Sequence, residues 1–241
     1  MTSRPAGRRR PKSQRRLRAP SRLGPLWGRP VAWFFVHIYW RTEIRGRVNV
    51  PRRGPAVVIA NHVGFIDGPV ATGVTPRHMN VLVKSEMFVN IFGVILRGSG
   101  QIEVEEGGRE ALARGRAVLQ RGGVVGVFPE GTRGTGNAAS LAGGAAWLAL
   151  HGGAPIVPLA LLGTRLTGES VNVVPRPGRR LIAEFGEPIA LDLPADLRGR
   201  ERQQRAEEIV AEALRAHVAR VAAGAPIKLP QDDPLREGHL A

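Results

Sequence analysis

The chain has 241 residues, with 35 Lys and Arg against 20 Asp and Glu, 31 glycines, 19 prolines and no cysteine. That length suits one α/β domain with short extensions, and an apolar fraction of 43% excludes a wholly disordered chain. A disulfide framework, a thiol nucleophile and a cysteine-held metal are excluded, and no stretch approaches the ~18–20 uninterrupted apolar residues of a spanning helix.

The net charge of +15 is concentrated at the N-terminus: residues 1–30 hold ten Lys or Arg and no acid, leaving +5 for the other 211 residues. Residues 1–25 therefore read as a basic disordered tail that seeks a polyanion. In the next segment, 26–45, the run LWGRPVAWFFVHIYW is rich in aromatic rings and too short to span a bilayer. It reads as a membrane-interface helix starting near Pro30, with Arg41, Arg45 and Arg47 following at the headgroups. The competing reading packs Trp33, Phe34 and Trp40 onto the domain. No small-residue cleavage site follows, which argues against a signal peptide.

From residue 46 to 225 the pattern alternates between short β-rich runs and helical stretches. Strands are predicted at AVVIANH (56–62), MNVLVK (79–84), QIEV (101–104), GVVGVF (123–128), PIVPLALLG (155–163) and RRLIAEFG (179–186). Helices are predicted from near Asp67-Gly68-Pro69, over 86–97, 107–121 and 140–151, and over 198–222, where Ile209, Val210, Leu214, Val218 and Val221 recur at helical spacing. Residues 226–241 read as a loose C-terminal tail. The alternation predicts an α/β fold, a mostly parallel mixed sheet flanked by helices, with ligands expected at the carboxyl ends of strands. Two polar clusters fall at such ends: Asn61-His62, and Pro129-Glu130-Gly131-Thr132-Arg133. Neither GxxxxGK[ST] nor GxGxxG follows a strand, so those routes to nucleotide binding lack support.

His62 and Asp67 form an H-x-x-x-x-D pair. Five residues along a straight helix would turn ~500° and leave the side chains apart, so they meet only if His62 ends a strand and Asp67 opens a helix. In that arrangement Asp67 fixes the imidazole tautomer and His62 serves as a general base near neutral pH. No serine or cysteine adjoins the pair in sequence, so the nucleophile is expected to come from a substrate hydroxyl. A purely structural pair, with Asp67 as a helix N-cap, stays open at this level. In the second cluster Arg133 suits bidentate binding of a phosphate, and Glu130 suits positioning that Arg or an acceptor hydroxyl; a surface turn with a weak ion pair is the alternative.

Taken together, NHVGFID (61–67), FPEGTR (128–133) and APIVPL (154–159) resemble the glycerolipid acyltransferase family, most nearly its bacterial 1-acylglycerol-3-phosphate acyltransferases. A fourth block, Lys84-Ser85-Glu86-Met87-Phe88 followed by Gly93 and Gly100, agrees. The resemblance implies transfer of a fatty acyl group from acyl-CoA or acyl carrier protein, acting as substrate and not as cofactor, to a lysophospholipid hydroxyl. It implies His62 as catalytic base, Asp67 as its orienting carboxylate, and Glu130, Gly131, Thr132 and Arg133 as the acceptor-binding loop, with Lys84 assisting. No metal is implied, and none of the six histidines shows a two-histidine ligand spacing. One departure concerns the acceptor: where the family often has I-P-V-D-R, this chain has Ile102-Glu103-Val104-Glu105-Glu106, with Arg97 and Arg109 as the cations that would compensate. The expected activity is O-acylation at the cytoplasmic face of the cell membrane by a peripheral or monotopic protein, most of all of 1-acylglycerol-3-phosphate to give phosphatidic acid. The alternatives are another lysophospholipid or glycolipid acceptor, a lipid hydrolase, a degenerate lipid-binding module, and a nucleic-acid-binding protein. The last is disfavoured by the modest charge of the domain and the lack of an RNA-binding aromatic signature.

Overall fold

The run AVVIA forms β2 (Ala56–Ala60), buried at every position, near the centre of a sheet. The computed structural model describes residue 20, residues 25–129 and residues 138–232. Among these, seven strands form one sheet: β1 (Arg41–Arg45), β2, β3 (Met79–Lys84), β4 (Ile102–Val104), β5 (Val124–Val127), β6 (Ile156–Leu162) and β7 (Arg180–Phe185). Their order is β1-β7-β6-β2-β5-β3-β4, parallel throughout except where β7 runs antiparallel to β6. This is the predicted mostly parallel mixed sheet.

The continuous apolar runs follow from two buried faces, since successive side chains alternate across a strand. Val57 and Ile59 of β2 join Val125, Ile156 and Leu162 beneath α4 (Arg109–Gln120), α5 (Ala138–Gly152) and α6 (Gly199–Ala223). Ala56, Val58 and Ala60 join Leu159, Leu161 and Leu181 on the opposite face, which α2 (Asp67–Val74) helps to cover, with α1 (Pro25–Phe34) packed against α2. At Gly73 the helices touch: a Cβ there would stand 2.6 Å from both the Ala32 carbonyl oxygen and Val36 Cγ2.

The N-terminal segment differs from the helix predicted over 26–45. α1 begins earlier, at Pro25, carries Pro30 inside it, and is continued by one π-helical turn, Phe35–Tyr39. Trp40 is extended, and Arg41–Arg45 is an edge strand paired in parallel with β7. RTEIR alternates exposed and half-buried positions, so the ladder with β7 pairs one edge of its backbone while its charges stay wet. Of the three rings in the packing reading, Trp40 packs on the domain and Trp33 and Phe34 do not. Val36 and Trp40 are buried, with Trp40 Nε1 donating to the Pro175 carbonyl oxygen at 3.0 Å, whereas Trp33, Phe34 and Ile38 are exposed. Within the helix predicted over 86–97, Ser85–Met87 forms a 3₁₀ turn, and α3 spans Asn90–Gly98. The start of the predicted C-terminal tail also needs correction. Ile227 and Leu229 pack against the core, and Asp232 is held by Arg165, so residues 226–232 are docked through contacts made far back in the chain. The basic tail predicted over 1–25 lies outside the described residues except at Pro20 and Pro25.

Candidate active site

The site is built where β2 leaves the sheet. Asn61, buried, spans to β6 with both ends of its amide: Nδ2 donates to the Leu161 carbonyl oxygen at 2.9 Å, and Oδ1 accepts from the Leu161 N–H at 2.7 Å. The side chain thus carries β2–β6 pairing one step past the end of the strand and fixes the direction in which His62 emerges. His62 is 33% exposed and Asp67 is 0% exposed.

The two meet as the strand–turn–helix arrangement requires. His62 Nδ1 lies 2.8 Å from Asp67 Oδ2. An ionised carboxylate only accepts, so Nδ1 carries the hydrogen and Nε2 is the nitrogen that can take a proton. The same Oδ2 accepts the N–H of Val63 at 2.7 Å and that of Gly64 at 2.8 Å. Although Asp67 is the first residue of α2, its carboxylate turns back to organise the preceding turn, unlike an N-cap, which would serve the helix ahead. Imidazole and backbone turn are therefore locked by one buried oxygen.

Neighbouring elements brace this turn. The His62 and Phe128 rings lie 4.8 Å apart between centroids, which places the end of β5 against the imidazole, as the parallel pairing of Ile59 with Val127 allows. The Phe65 N–H donates to the Val171 carbonyl oxygen at 2.8 Å, and the Phe65 ring meets Phe92 edge-on at 5.8 Å. Gly64 faces Arg165: a Cβ on Gly64 would stand 3.4 Å from Arg165 Cβ. Arg165 is 4% exposed and donates to Asp232 Oδ2, the Asp232 carbonyl and the Glu169 carbonyl, each at 3.0 Å. Arg165 also helps hold the Asp232 carboxyl below its ordinary range.

Of the residues singled out from sequence, His62 and Asp67 are brought into contact. Lys84 ends β3, half-buried, on the same carboxyl rim but two strands from β2. Glu130, Gly131, Thr132 and Arg133 lie outside the described residues. Arg97 Nη2 lies 3.4 Å from Glu103 Oε2, and its guanidinium sits 5.2 Å from the Phe88 ring centroid, so it balances the first of the three acids. Glu105, Glu106 and Arg109 are exposed around the turn between β4 and α4. Among the described residues no cluster of three His, Asp or Glu side chains is placed to hold a metal ion. Sequence reasoning assigned no role to Asn61, Arg165 or Asp232. Asn61 stood in the polar cluster after the first buried strand, whereas nothing in the sequence linked Arg165 to a residue 67 positions later.

The family model for acyltransferases matches residues 41–162, which carry the sheet centre and the whole His62–Asp67 turn. The chain belongs to the acyltransferase family. It is 30% identical over 125 residues to the 1-acyl-sn-glycerol-3-phosphate acyltransferase of Bacillus subtilis, covering 50% of this chain and 62% of that protein. An uncharacterised protein of Mycobacterium tuberculosis is 29% identical over 205 residues, covering 67% of this chain and 55% of its own length. The chain thus spans little more than half the length of these curated relatives. The crystal structure of the 1-acyl-sn-glycerophosphate acyltransferase from Thermotoga maritima shares the fold, with a TM-score of 0.56 and 22% identity over 82% of this chain and 79% of that one.

Proposed function

We propose that this chain is a membrane-surface O-acyltransferase that moves a fatty acyl group from acyl-CoA or acyl carrier protein to the hydroxyl of a lysophospholipid. The first-choice acceptor is 1-acylglycerol-3-phosphate, giving phosphatidic acid, in keeping with the names of the Bacillus subtilis and Pseudomonas aeruginosa relatives. One observation carries the reading: a part-exposed imidazole held through Nδ1 by a buried carboxylate, on the carboxyl rim of the sheet in a matched acyltransferase domain.

His62 Nε2 takes the proton of the acceptor hydroxyl while that oxygen attacks the donor's thioester carbonyl carbon. Asp67 holds the ring and stabilises the imidazolium as it forms. The tetrahedral adduct then collapses, the carbon–sulfur bond breaks, and the imidazolium returns the proton to the leaving thiolate. The product is an ester and a free thiol. Arg133 is assigned to the headgroup phosphate, with Glu130, Gly131, Thr132 and Lys84 as the other acceptor-binding residues. The exposed rings of Trp33 and Phe34 support contact with a membrane interface, and the cytoplasmic face is the side proposed. Among the described residues no helix is long and apolar enough to cross a membrane.

Exposed Glu105 and Glu106 favour a second acceptor reading, a lysophospholipid or glycolipid whose headgroup tolerates nearby carboxylates. Thiol release from acyl-CoA, followed across acceptors with phosphate, phosphoinositol, phosphoethanolamine and glycan headgroups, separates these readings. His62→Ala should abolish release with every acceptor; equal turnover in wild type and variant refutes the mechanism. Free fatty acid without acylated lipid identifies a hydrolase instead.

A further inference from the structure

Two neighbouring segments carry nearly all of the exposed large apolar side chains among the described residues: nine of eleven fall within 31–38 or 89–95. The second segment is the more anomalous. α3 reads NIFGVILRG, yet Gly93 is its one buried residue, and Ile91 and Val94 are 64% and 65% exposed. A helix with this much outward apolar surface needs a cover, because contiguous patches of this kind are rare on freely soluble monomers. α1 and α3 approach closely: a Cβ on Gly28 would stand 2.8 Å from Ser99 Cβ, just past the end of α3. The exposed Trp33 and Phe34 of α1, with Ile38 on the π-helical turn that continues it, and Ile91, Val94 and Ile95 of α3 thus lie on adjoining segments.

We propose that α3 is a bilayer-inserting element that joins α1 in one apolar face, seating the His62 turn directly on an anionic lipid surface. This rests on the lysophospholipid reading above. Three observations choose that occupant. First, the face reaches the site: Phe92 of α3 meets Phe65 edge-on, and Phe65 lies in the turn between His62 and Asp67. Second, the sequence that leads into α1 is basic: residues 1–24 hold nine Lys or Arg and no acid, and no acid occurs from there to Trp40. Cations of that number draw an apolar face toward anionic headgroups. Third, α3 has nine residues, about 14 Å of helix, which is far short of a ~30 Å hydrocarbon core and suits a helix lying in the interface. An acceptor lipid would then present its headgroup hydroxyl to the cleft while its acyl chain stays in the bilayer.

The lack of cysteine makes a direct test simple. The full-length Val94→Cys protein, labelled with an environment-sensitive fluorophore, is mixed with vesicles of phosphatidylcholine with or without phosphatidylglycerol. The expected result is a blue shift and quenching by brominated acyl chains on the phosphatidylglycerol vesicles, with neither change at Ala216→Cys on α6. Paired Ile91→Asn and Val94→Asn substitutions should weaken vesicle binding about tenfold or more, with the melting temperature unchanged. The proposal is overturned if the protein fails to bind the vesicles, or if it binds while the label at 94 stays in water. A blue shift that needs no vesicles and grows with protein concentration also overturns it, by assigning the face to a second copy of the chain. Should the label insert while thiol release with lysophospholipids is absent, the docking face stands and the acyltransfer reading falls.

Discussion

Replacing Asp67 by asparagine keeps the size of the side chain and removes its charge. In the native turn Oδ2 receives three N–H groups, from His62 Nδ1, Val63 and Gly64, at 2.7–2.8 Å. Hydrogen bonds to a charged acceptor are worth about 1.5–3 kcal/mol each against about 0.5–1.5 for neutral ones, so neutralisation alone removes roughly 3 kcal/mol. Asparagine also introduces an NH₂ where Oδ1 is buried without a partner among the described residues, which adds about 1–3 kcal/mol. The expected loss of stability, about 4–6 kcal/mol, would leave many domains folded at low temperature. The rate effect is separate. Without the carboxylate the imidazolium formed during proton abstraction is unsupported, and kcat should fall about 10²–10⁴-fold with KM nearly unchanged. Thiol release from acyl-CoA reads this directly, since the chain contributes no thiol of its own. The decisive comparison is a double-mutant cycle: in a His62→Ala background, Asp67→Asn should cost no further rate. Equal losses of rate in both backgrounds would show that Asp67 does not act through His62, and the orienting role would be wrong.

Asn61→Ala deletes both bonds to Leu161 and leaves a buried N–H and carbonyl to find other partners, so urea unfolding should register a loss of about 2–5 kcal/mol. Burial, with Arg121 and Arg29 nearby, pushes the His78 imidazole down to about 4 from an ordinary 6.5. As pH falls between those values the unfolded chain takes up the proton first. Stability contributed by neutral His78 is therefore complete above 6.5 and lost on approach to 4, by about 3 kcal/mol. His78→Asn should flatten that part of the pH dependence, measured by urea unfolding from pH 7 to pH 4. Asp232→Asn should lower the melting temperature and speed amide exchange at Phe65 and Gly168, because the Arg165 clamp backs the His62–Asp67 turn; unchanged exchange at Phe65 would uncouple the C-terminal segment from the site.

Local chemistry in the sequence determined the alternation of strands and helices, β3 to the residue, and the meeting of His62 with Asp67. Each rests on side chains within a few positions: a period of two for strands, a longer one for helices, and a turn of four residues between a strand end and a helix start. The same local patterns misread Arg41–Arg45, since an edge strand with alternating charges carries no apolar run to announce it. Tertiary structure alone decided which neighbours complete the site. Asn61 and Leu161 are 100 positions apart and Arg165 and Asp232 are 67, and such pairings depend on strand order and chain return, which no short window encodes. It also decided that α3 turns its apolar residues outward. Composition marks those residues as hydrophobic, but whether hydrocarbon meets protein or surroundings depends on what the rest of the fold leaves uncovered.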